Sequence, residues 1–211
     1  MNQTIPLFPL PLVVFPDQAL PLHIFEPRYR QMLADVREAQ ERGESMPIGV
    51  CLGEDTSVDA PVGCAVVLEK VLNEYGDGRA DIICVGYRRF RIGEIFHDRP
   101  YLTVEATYIE DEEEPLDSAL LQRAQNGYAR LLQLAQEESG ERFEGVAPQS
   151  AFQIAQSAAL PLESKQEILQ MRSESERLHF LCQHFEALIP RLEAQRAERV
   201  KIQSNGHAKK L

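Results

Sequence analysis

His23, Glu26, Arg28, Tyr29 and Arg30 fall close together near the start of the chain, a cluster with the side chains needed for acid–base or recognition chemistry. A simpler reading is structural. Glu26 caps or neutralises a helix N-terminus, where negative charge is favoured, and His23 hydrogen-bonds at a strand edge. His179 and His184 stand five residues apart on one helical stretch. That spacing turns them to different faces, so they do not chelate one metal together. Ser164 and Lys165 are adjacent, and helix neighbours point apart rather than forming a nucleophile–base pair. Cys51, Cys64, Cys84 and Cys182 are widely spaced and lack a C-x-x-C pair, so neither a zinc pattern nor a disulfide framework is indicated. Three of them sit in apolar strand-like runs and read as small buried hydrophobes. The run Glu110-Asp-Glu-Glu-Glu-Pro115 is a block of like charge that repels itself, which marks a solvated boundary rather than a cation site. None of the 12 glycines precedes a lysine, so no phosphate-binding G-x-x-x-x-G-K-[ST] loop exists. No G-x-S-x-G nucleophile elbow is present either. The expectation is a chain with no catalytic residue, no cofactor and no metal.

Charge narrows the partners. The 211 residues carry 33 acids against 22 bases, a formal net charge of −11. Nucleic-acid affinity comes largely from Lys and Arg meeting phosphate, so RNA or DNA is disfavoured. The one basic cluster, Lys201, Lys209 and Lys210 beside His207, reads as a frayed terminus. No apolar run approaches the roughly 20 residues of a membrane helix, and no secretory leader is evident. Both absences point to a cytoplasmic, membrane-free protein. Hydrophobic residues at 44% suit a folded globular chain with a sizeable core.

The elements that must carry these residues divide by period. Up to about Ile109 the pattern is β-rich. Leu7 to Phe15 and Leu20 to Phe25 are short apolar runs cut by prolines, which confine them to strand ends and edges. Pro27 opens a helix whose apolar face is Tyr29, Met32, Leu33 and Val36, closed near Gly43. Strands follow at Ile48–Leu52, Gly63–Leu72, Ala80–Gly86, Phe90–Phe96 and Tyr101–Ile109, with a turn at Asn73–Gly78. After the acidic run the period becomes 3.6. Leu116, Leu120, Leu121, Ala124, Tyr128, Leu131, Leu132 and Ala135 define one amphipathic helix. A second is expected from Pro148, carrying Phe152, Ile154, Ala155 and Ala158. Capping boxes at Ser164–Glu167 and Ser173–Glu176 open two more. Pro190 is expected to kink or break the last of them near Glu186–Pro190, with fraying beyond Ala194. The organisation expected is a β-rich subdomain over 1–110, a helical bundle over 116–203 and a flexible tail over 204–211.

The wording of three stretches is similar to one family. They are Ile5-Pro-Leu-Phe-Pro-Leu-Pro-Leu through His23-Ile-Phe-Glu-Pro-Arg-Tyr-Arg30, Val85-Gly-Tyr-Arg-Arg-Phe-Arg-Ile92, and Ala158-Ala-Leu-Pro-Leu-Glu-Ser-Lys-Gln-Glu through Glu176-Arg-Leu-His-Phe-Leu181. They resemble the N-terminal, substrate-binding domain of Lon proteases over about residues 5–200. The resemblance implies an α+β fold, a PUA-like β pseudo-barrel followed by an α-helical bundle. It also implies a stand-alone module without the ATPase and peptidase domains, whose motifs are missing here, and transfers no catalytic residue. Substrate recognition is the implied role, with unfolded or apolar polypeptide segments or a partner protein as ligand. The residues implied to form that surface are Phe8, Phe15, Leu20, Leu22, His23, Phe25, Arg28 and Tyr29, although most apolar residues in such runs belong to a core. An RNA-binding PUA-like module, or a regulatory subunit of a separate protease or other enzyme, are the alternatives.

Overall fold

A computed structural model describes residues 2–140 and 146–206, with side chains over 3–140 and 146–199. Seven strands and five helices occur among them in the order β1 (Asn2–Leu10), β2 (Ala19–Ile24), α1 (Pro27–Glu41), β3 (Ile48–Glu54), β4 (Ser57–Val58), β5 (Val62–Glu74), β6 (Ala80–Phe96), β7 (Leu102–Tyr108), α2 (Ser118–Ser139), α3 (Ala151–Ser157), α4 (Leu162–Gln170) and α5 (Glu174–Gly206). The chain forms two compact units. One holds residues 1–112 and 160–172, the other 113–159 and 173–211. The turnover at the acidic run is where the composition changes, but the segment carrying α4 belongs with the strands.

In the first unit the strand order β1-β7-β6-β5-β3 closes on itself, because β1 also pairs with β3 in parallel through Leu7↔Gly49 and Phe8↔Val50. The result is a pseudo-barrel. Alternation along β1 explains the layering. Ile5 and Leu7 pack with Cys51, Ala65, Phe90, Leu102 and Val104 in one apolar cluster. Phe8 faces the other way and joins Ile24, Tyr29, Met32, Val36, Val66 and Ile82 in a second cluster beneath α1. Strands buried on both faces lose polar alternation, which is why their sequence is so continuously apolar. Helix α1 ends in a Schellman motif: the Gly43 N–H donates to Gln40 O and the Glu44 N–H to Ala39 O, 2.9 Å each, with Gly43 at φ 75°.

Several expectations change. Strand β1 stops at Leu10, and Pro11–Phe15 is not strand. Two separate strands expected over Ala80–Gly86 and Phe90–Phe96 form the single strand β6, with a pairing shift against β5 that leaves Tyr87 out of register. The helix expected to start at Ser164 starts at Leu162, with Pro161 at the N-cap and no side-chain cap. Proline already fixes the entry dihedral there, so Ser164 lies inside α4.

Helix α4 is held to β-sheet residues by two buried polar side chains. The Gln166 amide donates to Val62 O at 2.9 Å. Arg89, 3% exposed on β6, donates to Leu169 O at 2.8 Å, to Met171 O, and to the Asp111 carboxylate. Neighbouring Arg88 pairs with Glu110 at the surface. The acidic run is therefore tied rather than freely solvated.

In the second unit Asp117 caps α2, accepting from the N–H groups of Ala119 and Leu120 at 3.0 and 2.9 Å. Ser173 caps α5, its Oγ accepting from Glu176 N–H at 3.0 Å. Glu114 adds to that cap, accepting from the Ser173 hydroxyl and the Ser175 N–H at 2.9 Å each. Helices α2 and α5 approach closely at Gly127, where a Cβ would stand 2.7 Å from Phe185. Arg123–Glu186 and Arg130–Glu193 pairs run along their seam. Helix α5 continues unbroken through Pro190 to Gly206, against the expected break and the expected fraying beyond Ala194. Packing against α2 supplies what the proline removes. Of the expected tail, 204–206 fall in α5 and 207–211, with His207, Lys209 and Lys210, lie outside the described residues.

Candidate functional site

The first unit carries a groove where the end of β1, the end of β2, the first turn of α1 and the β3–β4 turn converge. It has a volume of about 260 Å³. The proline-rich opening builds it. Pro11 follows the end of β1 at Leu10, and Pro27 starts α1 directly after β2 with Glu26 as N-cap residue. That short passage puts Phe25 on the outside, 57% exposed, at the groove mouth. Phe8 and Tyr29 form its floor, their ring centroids 4.0 Å apart and tilted by 35°. Burial pushes the Tyr29 phenol upward, so it stays neutral.

Of the eight residues expected to form a recognition surface, Phe8, Leu22, His23, Phe25, Arg28 and Tyr29 line this groove. Phe15 and Leu20 do not. They are 0% and 6% exposed. Leu20 shares the inward side of β2 with Ile24 and belongs to the cluster under α1. Phe8 and Tyr29 are also core residues and offer the groove only an edge.

The polar side of the groove is fixed by ion pairs. Arg28 donates from Nε to Glu26 at 2.9 Å and from Nη2 to Asp55 at 3.1 Å, with its guanidinium 4.6 Å from the Tyr29 ring centre. Glu26 therefore holds Arg28 and makes no side-chain cap to α1. His23 lies 2.6 Å through Nδ1 from Asp81, its cross-strand partner on β6. The histidine ring stacks near Phe25 at 5.9 Å and meets Tyr75 edge-on at 6.0 Å. Asp81 also accepts from the Tyr75 hydroxyl at 2.7 Å and Asn73 at 3.1 Å. The hydrogen bond from His23, then those from Tyr75 and Asn73, hold its carboxyl down at about 2.

Glu54, Asp55 and Asp81 were not legible as site residues. Glu54 ends β3 and Asp55 opens the two-residue turn into β4, which looks like any polar connection, and Asp81 arrives through strand pairing 58 residues from His23. Asp55 adopts φ 56°, a conformation that aspartate tolerates better than most residues.

No group of three or more His, Cys, Asp or Glu side chains among the described residues is placed to hold a metal ion. His179 Nδ1 lies 2.9 Å from the Ser175 carbonyl, and burial lowers His184. All four cysteines are buried free thiols. Burial pushes Cys51, Cys64 and Cys84 up to about 12, which removes the thiolate needed for nucleophilic or metal chemistry. A larger depression of about 740 Å³ in the second unit, beside Tyr128, Leu131 and Leu132, contains none of the candidate residues. No helix among the described residues is long and apolar enough to cross a membrane.

The first unit is thus a closed β pseudo-barrel with a charged rim beside an apolar groove, and the second is a set of helices. Comparison with known proteins shows the family. The model of the ATP-dependent protease La (LON) substrate-binding domain matches residues 4–186, and the chain belongs to that family. It is 31% identical over 119 residues to the Lon protease of Parabacteroides distasonis, a stretch covering 53% of this chain and only 14% of that protease. Among solved structures it is similar to a Lon N-terminal domain protein from Xanthomonas campestris, with a TM-score of 0.63, 26% identity, and coverage of 85% of this chain and 96% of that one. The N-terminal domain of a Mycobacterium avium complex Lon protease shares the fold, with a TM-score of 0.60 at 17% identity, covering 87% and 98%.

Proposed function

We propose that this chain is a non-catalytic recognition module that holds apolar segments of unfolded polypeptide in the groove between β1, β2 and α1. The observation that carries the reading is Phe25, a large apolar side chain left 57% exposed at the mouth of an aromatic-floored groove. An exposed aromatic beside an aromatic-floored concavity offers apolar area that a partner's side chain would remove from water. The size of the groove is informative. At about 260 Å³ it falls below the ~300–1,000 Å³ of small-molecule sites, and suits one or two side chains of a chain passing over it. Family membership supports substrate binding, and the sequence supplies no phosphate loop or nucleophile elbow.

Binding of this kind is weak and dominated by apolar burial. Fluorescence anisotropy with labelled unfolded peptides tests it. Peptides containing a central Phe or Leu are expected to bind at micromolar to millimolar Kd, with little change between low and moderate salt. Replacing Phe25 with Ser is expected to reduce binding. Absence of binding to every apolar peptide, together with tight, salt-sensitive RNA binding, would overturn the reading. The net charge of −11 argues for the polypeptide.

A further inference from the structure

We infer that the groove selects apolar residues that have a basic residue beside them, so that its ligand is a segment with an aromatic or aliphatic side chain next to Lys or Arg. This inference rests on the polypeptide reading and adds the chemistry of the flank. Three carboxylates line the groove, Glu26, Glu54 and Asp55, against one guanidinium, Arg28. Their roles differ. Glu26 and Asp55 both meet Arg28, which is already satisfied by that pair of contacts. Glu54 enters no ion pair among the described residues and is exposed at the end of β3. The Asp55 side chain is 82% exposed, so its second oxygen is open to solvent. The two carboxylates are adjacent in the chain, and both line the concavity that Phe25 overhangs. His23, which also lines the groove, is occupied by the Asp81 carboxylate.

An acidic flank would meet uncompensated negative charge here, and a neutral one would leave Glu54 unpaired. A basic flank would complement it. Charge at a rim discriminates between ligands more than it adds affinity, so the apolar side chain anchors and the flank selects.

Nine-residue fluorescent peptides with a central Phe flanked by Lys, Gln or Glu separate the two levels of the reading. At about 50 mM salt the Lys-flanked peptide is expected to bind roughly 2- to 5-fold tighter than the Gln-flanked one for each rim contact, and the Glu-flanked peptide weaker than both. Raising salt to about 0.5 M is expected to compress these ratios while leaving the Gln-flanked affinity nearly unchanged. The double variant Glu54→Gln, Asp55→Asn is expected to bring the three peptides to within 1.5-fold of one another, about the low end of a surface pair, read as the ratios among the three on that variant. Asparagine keeps the φ > 0 turn accessible, and circular dichroism confirms folding. Equal binding of all three peptides to the unaltered protein, or a preference that persists in the double variant, would overturn the flank rule alone. Failure of all three peptides to bind would overturn the groove reading and the flank rule with it.

Discussion

Arg88 and Arg89 are sequence neighbours on β6, yet replacing them with alanine should have very different costs. Arg89 is 3% exposed and serves three acceptors, the Leu169 and Met171 carbonyls and the Asp111 carboxylate. In Arg89→Ala both carbonyls lose the guanidinium donor, at about 1–3 kcal/mol for a buried group that loses its hydrogen bond and less for the part-buried Met171 carbonyl. Asp111, 40% exposed on its side chain, rehydrates and adds little. The buried Leu169 carbonyl and the part-buried Met171 carbonyl together set an expected cost of about 2–4 kcal/mol. Arg88 instead meets Glu110 where both side chains are well exposed, and lies 4.5 Å from the Tyr108 ring centre. A surface pair contributes about 0–1 kcal/mol and an exposed cation–π contact about 0.5–1 kcal/mol, so Arg88→Ala should cost roughly a third as much. Urea unfolding followed by circular dichroism gives the two values. Hydrogen exchange over 160–172 should accelerate in Arg89→Ala and not in Arg88→Ala, because the anchored carbonyls lie at the end of α4. Equal destabilisation by the two substitutions, or unchanged exchange in Arg89→Ala, would refute the role assigned to the buried guanidinium.

Three further outcomes follow from the same structure. The Asp81 carboxyl should titrate near 2 by NMR, against an ordinary value of about 3.9. Its folded value lies below its unfolded one, so its contribution is full above the ordinary carboxylate range and is lost as pH falls toward 2. His23→Ala should move the titration upward, and an unchanged midpoint would remove His23 as the main cause. Pro190→Ala should stabilise the second unit by about 1–3 kcal/mol in thermal unfolding, because α5 stays helical through the proline without that residue's backbone donor; a loss of stability would show that the ring packing matters more. The native thiols should resist a disulfide reagent at neutral pH, given Cys51, Cys64 and Cys84 at about 12, and rapid labelling of any of those three without unfolding would contradict their burial.

Element type was legible wherever local chemistry decides it. Pro27 and Gly43 bracket α1, observed at Pro27–Glu41. The turn expected over 73–78 falls at 75–79, because Asn73 and Glu74 still pair in β5, and Ser173 caps α5 as its spacing with Glu176 implies. What escaped was set by partners distant in sequence. A Pro in a helix interior reads as a break, but α5 passes Pro190 because α2 packs along it and Arg123 and Arg130 pair with Glu186 and Glu193 on either side. Ser164–Glu167 has a capping spacing, but Pro161 starts the helix first. The acidic run looks solvated because its cations, Arg88 and Arg89, lie 22 residues earlier and come opposite it only when β6 is in place.

The groove was half legible for the same reason. The run from Phe8 to Tyr29 supplies its apolar side, since the chain turns from β1 through β2 into α1 over a short distance. Sorting that run required the pleat. Leu20 and Ile24 share the buried side of β2, while His23 points outward and Phe25 lies past the strand's end. Six consecutive positions thus divide between core and surface by a period of two. The charged side came from elsewhere, through β3 against β1 and β6 against β2. Only the closed sheet brings Glu54 and Asp55 to the lip and sets Asp81 under His23. Apolar capacity is therefore local to the opening segment, whereas selectivity is a property of the barrel. Substitutions at Phe25 should weaken every apolar peptide alike, and substitutions at Glu54 or Asp55 should change the ratio between differently flanked peptides.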